Sequence, residues 1–315
     1  MLEIRGLKKM YGITTALDEL DMQIPTGSLY GFVGPNGAGK TTTLRILVGL
    51  LAPDGGSILL DGEDLLKNAK TLSSRIGYVP DDFGVYDNLK VWEYMDLFAG
   101  CGGLYGLAAR QKIDFLLDQV GLGGREDYYV DGLSRGMKQR LSLARALIHN
   151  PDFLIMDEPG SGLDPRTRLE FRSIIKELQE QGKTILLSSH LLEDLAEICT
   201  DIGIIDQGKL LLEGSMEEIQ EAIHTRTPIR ITVFGGREQA LAILRSHPFA
   251  EHIAIRGNEI AVGFSGDRQE EALLLQQLCD AGVLVNAFFR EKNTLEAIFM
   301  QLTDTEKEVT LLHEG

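Results

Sequence analysis

The sequence is poor in cysteine, short of positive charge, and free of long apolar runs. Only three cysteines occur in 315 residues, Cys101, Cys199 and Cys279. They lie far apart with no C-x-x-C pair, which argues against a zinc site and against a disulfide framework. A reducing cytoplasm is the simplest setting for such a chain. Lys and Arg number 31 against 47 Asp and Glu, a formal net charge of −16, with a pI near 4.8. A surface of that sign repels nucleic acid in general, so no nucleic-acid partner is expected. The acidity is spread along the chain rather than gathered in a tail. No apolar stretch approaches the roughly 18 residues of a membrane span. The opening residues Met1-Leu2-Glu3-Ile4-Arg5 lack the apolar core of a signal peptide. The expectation is a soluble protein, or one held at a membrane through a partner.

What is present is organised around Gly34-Pro35-Asn36-Gly37-Ala38-Gly39-Lys40-Thr41, which fits G-x-x-x-x-G-K-[ST]. Ser28–Val33 before it reads as a short buried strand. Thr42–Leu50 after it carries Leu44, Leu47 and Val48 at helical spacing. Strand, glycine loop and helix together are the setting of a phosphate-binding loop. The glycines allow a tight wrap in which backbone N–H groups face an anion, and the helix N-terminus adds partial positive charge. In such a loop Lys40 can reach the terminal phosphates of ATP and the Thr41 hydroxyl can ligate Mg²⁺. A glycine-rich turn with a chance lysine is the competing account.

The order of elements predicts an α/β fold. Residues 2–33 alternate as an antiparallel β region. Residues 90–148 change to amphipathic helical patterns and read as an inserted helical subdomain. Buried strands at 153–156, 184–187 and 202–205 then alternate with helices, the mark of a parallel sheet covered on both faces. This gives a P-loop NTPase core over 1–224. The order strand, helix, strand, strand, helix, strand from 229 to 289 predicts a ferredoxin-like α+β domain within 225–303, with a boundary at Thr225–Pro228. A last helix is expected from a cap at Asn293 with Glu296 three residues on. Its stripe Leu295, Ile298, Phe299 and Leu302 reads as core or dimer contact, and 304–315 as a polar tail.

Asp157 and Glu158 close the apolar strand at 153–156. Adjacent carboxylates at a buried strand end are costly unless they hold a metal or move protons. Asp157 suits Mg²⁺; Glu158 suits orienting the attacking water and taking its proton. With these residues the chain resembles the ATP-binding subunit of an ABC transporter. Leu133-Ser134-Arg135-Gly136-Met137-Lys138-Gln139-Arg140 is similar to that family's signature motif, commonly LSGGQ and a basic stretch. Ser161-Gly162-Leu163-Asp164 is similar to its D-loop and Ser189-His190 to its switch histidine.

The resemblance covers about 1–220 and implies a division of roles. Glu158 and His190 would be catalytic. Tyr11 would stack on adenine, and Gly34, Asn36, Gly37, Ala38, Gly39, Lys40, Thr41 and Thr42 would hold the phosphates. Ser134 and Gly136 would complete the ATP site of a second subunit, and Asp164 of the D-loop would also serve nucleotide binding. Thr41, Asp157 and Asp81 would face Mg²⁺, although Asp81 stands where the family usually has glutamine. Met137 replaces the signature glutamine, and Gly160 replaces a small polar residue or alanine.

The LSxGMKQ form, the acid after Tyr-Val-Pro and the end Thr294–Thr303 resemble the export-type branch. The implied protein is an ATPase on the inner face of the membrane, powering export through a separate permease subunit. The complete motif set favours a homodimer, with a heterodimer left open. An importer ATPase is the alternative, and a soluble ABC ATPase a further one. The apolar side chains Phe83, Val85, Tyr86, Leu89 and Trp92 are expected to form a groove for a permease helix, or to pack under the helical subdomain.

Overall fold

The computed structural model describes residues 1–68, 74–82, 84, 88–190, 195–219 and 228–290. Phe83, Val85 and Tyr86 of the expected groove, the expected boundary around Thr225, the helix expected from Asn293 and the tail 304–315 lie outside the described residues. The chain divides into two compact units, Met1–Ser215 and Met216–Gly315.

The first unit carries two sheets. β1 (Leu2–Tyr11), β2 (Thr14–Ile24), β4 (Gly55–Leu60) and β5 (Glu63–Asp64) form an antiparallel sheet in the order β2-β1-β4-β5. Its pattern is half-buried: Leu20, Met22 and Ile24 face the core at alternate positions. The second sheet runs β10-β9-β3-β8-β7-β6. Its strands are β3 (Leu29–Val33), β6 (Ile76–Val79), β7 (Phe153–Met156), β8 (Thr184–Ser189), β9 (Asp201–Asp206) and β10 (Lys209–Ser215). All pairings are parallel except that of β10 with β9. Every residue of β3, β7 and β8 is buried, as strands covered on both faces must be. The edge strand β10 has no clean alternation in its Leu210-Leu211-Leu212 run, and the sequence pattern did not mark it.

α1 (Lys40–Leu47) follows β3, starting where the Gly39 backbone turns through φ 113°. The insertion consists of α2 (Val91–Cys101), α3 (Gly106–Gln119) and α4 (Arg135–Ala146). Their apolar stripes pack together through Tyr94, Met95, Ile113, Leu116, Leu117, Leu141 and Ala144, all buried. Trp92 and Leu89 are only partly buried. α5 (Pro165–Glu180) begins with Asp164 as its cap and proline at its first position.

The second unit follows the expected order: β11 (Ile229–Gly235), α6 (Arg237–Ser246), β12 (Ala250–Arg256), β13 (Glu259–Phe264), α7 (Arg268–Asp280) and β14 (Leu284–Arg290). Its sheet runs β12-β13-β11-β14, antiparallel throughout, which is the ferredoxin-like arrangement. It has its own core, built on Ile229, Ile231, Val233, Leu244, Val262, Phe264, Leu274 and Leu278.

One close approach between β3 and β9 leaves no room for a side chain at Gly203. Tyr30 in β3 is fully buried, and its hydroxyl donates to Glu213 Oε1 at 2.7 Å. A Cβ on Gly203 of β9 would stand 2.2 Å from that hydroxyl oxygen and 3.0 Å from ring Cζ. We predict that Gly203→Ala destabilises the first unit by about 1–3 kcal/mol through overpacking, and by less in a Tyr30→Phe background. Urea unfolding followed by the fluorescence of Trp92, the sole tryptophan, measures it. Equal losses in both backgrounds would mean that the tyrosine oxygen is not what excludes a side chain.

Candidate functional site

The parallel strands bring their C-terminal ends to one edge, where ligands sit in open α/β sheets. β3 delivers the glycine loop, β6 leads to Asp81, β7 to Asp157 and Glu158, and β8 to His190. Sequence separation is therefore no obstacle to assembly. A cavity of about 380 Å³ opens there. Asn36, Gly37, Gly39, Lys40, Thr41 and Thr42 wall one side; Asp81, Glu158, Ser161 and His190 wall the other.

The loop is pressed against the sheet. A Cβ on Gly34 would lie 2.2 Å from the Ile205 carbonyl oxygen, so only glycine fits. Gly34 and Ala38 accordingly back the loop, and Ala38 is buried. Lys40 is folded over its own loop: its Nζ donates to the carbonyls of Gly34 at 2.6 Å and Pro35 at 3.2 Å. It also lies 3.8 Å from Glu158 Oε1, with both side chains largely buried. Burial lowers the Lys40 pKa from its ordinary value, and the charges of Glu158 and Asp157 oppose that shift.

Glu158 is held from two sides. His190 Nδ1 is 2.8 Å from Oε2. A carboxylate only accepts, so Nδ1 is the donor of this bond. The Glu158 backbone sits at φ 46°, a left-handed conformation uncommon outside glycine. Its N–H donates to Ser188 Oγ at 3.0 Å. The Ser188 hydroxyl in turn donates to Asp157 Oδ1 at 2.7 Å, and Thr41 Oγ1 donates to the same oxygen at 3.3 Å. Asp157 is 3% exposed; a buried carboxylate needs such donors. Ser188 is the functional residue that the sequence did not reveal. A serine inside an apolar strand carries no mark, and only its register beside β7 gives it a role.

Oxygen donors of this kind fit Mg²⁺. Thr41 offers a hydroxyl at the long end of hydrogen-bond range from a buried carboxylate, and Mg²⁺ takes one or two carboxylates with phosphate and water as its other ligands. No cluster of three or more His, Cys, Asp or Glu poised for a metal occurs among the described residues, so the remaining ligands would have to be substrate and solvent. Asp81 lies at the cavity edge with its pKa raised, first by burial and then by the charge of Asp157.

The structure does not bring every candidate to this cavity. Tyr11 stands half-exposed at the end of β1, with Lys9 Nζ 5.9 Å from its ring centre. Ser134 caps α4, accepting from the Met137 N–H at 3.3 Å. Gly136, the second residue of that helix, lies against Thr167, whose Cγ2 would be 2.4 Å from a Cβ there. The Asp164 carboxylate accepts from the N–H and hydroxyl of Thr167 at the start of α5. Beyond Glu158, Ser161 and His190 lies a second cavity of about 250 Å³, with Phe171, Ile175, Leu195 and Ile198 in its wall.

Residues 17–161 match the family model described as ABC transporter. The chain is 36% identical over 314 residues to Nod factor export ATP-binding protein I of Cupriavidus pinatubonensis, covering 97% of this chain and 91% of that protein. It is 32% identical to linearmycin resistance ATP-binding protein LnrL of Bacillus subtilis, covering 96% and 98%. A solved post-hydrolysis dimer of the ATP-binding cassette MJ0796, bound to ADP and Pi, superposes with a TM-score of 0.63 at 25% identity. It spans 69% of this chain and 99% of that one.

Ser188 generates a prediction. Ser188→Ala removes a donor from Asp157 and an acceptor from the Glu158 N–H. Leaving buried partners unsatisfied costs roughly 1–3 kcal/mol. Stability should fall by about that amount, and ATP turnover should fall while nucleotide affinity changes little. Unchanged turnover with intact stability would remove Ser188 from the site.

Proposed function

This chain belongs to the ABC transporter family of ATP-binding subunits and is an ATPase, and from that premise we propose that it powers export of a substrate through a separate permease subunit. The observation that carries the catalytic reading is Glu158, held between His190 Nδ1 at 2.8 Å and Lys40 Nζ at 3.8 Å in the wall of the phosphate-loop cavity. Export rather than import is favoured by relatives named for Nod factor export and linearmycin resistance.

In this reading the N–H groups of the loop, with Gly34, Asn36, Gly37, Ala38, Gly39, Thr41 and Thr42, cradle the ATP phosphates. Lys40 exchanges the carbonyls of Gly34 and Pro35 for phosphate oxygens. Thr41 and Asp157, with Asp81 at the margin, hold Mg²⁺, whose bound charge would offset that of the phosphates. Glu158 orients the attacking water and accepts its proton. His190 fixes the Glu158 carboxylate and reaches the γ-phosphate, while Tyr11 stacks on the adenine. Ser134, Gly136 and Asp164 stand away from this chain's own cavity, which supports their acting on the ATP of a second copy.

The working unit is then a homodimer docked on a permease at the cytoplasmic face of the membrane. No helix among the described residues is long and apolar enough to cross a membrane; in this reading the attachment runs through that permease. Residues 1–224 form the ATPase domain in this reading, and 225–303 an accessory or dimerisation domain.

Two experiments test the reading. Glu158→Gln keeps the phosphate contacts and loses the base. ATP binding should persist and dimers accumulate, while turnover falls by roughly 10²–10⁴-fold; near-normal hydrolysis would exclude Glu158 as the base. Mixing Lys40→Ala with Gly136→Asp subunits tests the shared site. If each site joins one phosphate loop to the opposing signature, the mixed dimer retains one intact site and exceeds both mutant homodimers. Verified mixed dimers without rescue would place each site within one subunit.

A further inference from the structure

Arg135 occupies the third place of the signature stretch, where the common form has glycine. Its position is electrostatically unfavourable. It is the first residue of α4, at the positive end of the helix dipole, and no acidic residue stands in that first turn. Lys138 and Arg140 follow on the same helix. A counter-charge from elsewhere offsets part of that cost for this half-exposed side chain.

The structure supplies it from the nucleotide cavity. Arg135 Nη2 lies 3.8 Å from Asp81 Oδ1, and Asp81 is one of the residues lining the cavity. The guanidinium is fixed on its other side by the turn after β7. Gly162 has φ 66°, and a Cβ there would fall 2.7 Å from Arg135 Cζ and 2.9 Å from its Nε. Glycine at 162 thus gives the guanidinium room to lie flat against the turn. One side chain touches three segments: the start of α4, the turn after β6 and the turn after β7.

The charge balance shows what this contact does. Asp81, Asp157 and Glu158 converge on the place where a polyphosphate would enter, and Lys40 is the cation facing it from the loop. An acid at position 81 repels that anion unless it is offset. We propose that Arg135 is a positioning residue that neutralises Asp81 within the same chain. The pair then admits an acid beside the γ-phosphate site and ties the helical insertion to the nucleotide cavity. This inference rests on the ATPase reading above; Arg135 acts through Asp81 and does not itself contact the nucleotide.

The test is a charge-removal cycle read as the KM for MgATP. Arg135→Gln should raise KM about three- to fivefold, the range of a partly exposed ion pair, with kcat changed less than twofold. In an Asp81→Asn background the same substitution should leave KM unchanged within twofold, because no charge remains to be offset. Arg135→Lys should restore most of the affinity, and added salt should shrink the Arg135→Gln effect. Arg135→Met gives a second neutral variant if the glutamine form does not fold. A KM rise of equal size in both backgrounds would overturn the proposal, since Arg135 would then serve the fold or touch the nucleotide of another subunit. An unchanged KM for Arg135→Gln in the parent chain, with Asp81 in place, would overturn it too. Failure of the parent chain to bind MgATP would instead refute the ATPase reading.

Discussion

The site depends on satisfying one buried carboxylate. Asp157 lies at the end of a strand whose every residue is buried, so no bulk water is at hand to solvate it. Ser188 from the neighbouring strand and Thr41 from the phosphate loop supply hydroxyls to the same oxygen. Those two bonds require β7 beside β8 in one register, and the loop's helix seated over both. The backbone N–H of Asp157 donates to Val79, which locks the end of β6 into the same edge. Four chain segments are thereby held in mutual position around this carboxylate. Anything that shifts the register of one strand disturbs the loop, Glu158 and the proposed metal donors together.

Much of this was legible in the sequence because it is written in short spans. The phosphate loop needs three glycines, a lysine and a threonine within eight residues, and each has a backbone reason. The paired acids close an apolar run, and the ferredoxin-like order follows from alternation and turns. What could not be read depends on contacts between distant positions. Ser188 looks like any serine in a buried strand until β7 is placed beside it. Arg135 reads as part of a basic helix until the turn after β6 brings Asp81 within reach. The strand β10 was missed because three successive leucines show neither the strand nor the helix period. Asp164 caps α5 within this chain, a role that its place before Pro165 also fits.

Lys40 braces the loop from within. A buried ammonium must be hydrogen-bonded, and here the loop's own carbonyls do this work. These two bonds close the loop around its own lysine and tie the start of α1 back to the end of β3.

The left-handed backbone at Glu158 makes stability and turnover compete at one position. A non-glycine residue held there costs on the order of 1 kcal/mol or more, and glycine would relieve it. Glycine or asparagine would suit the backbone at 158 better, at the expense of the catalytic role proposed for the glutamate. The position therefore sets the local preference of the chain against the chemistry proposed for it.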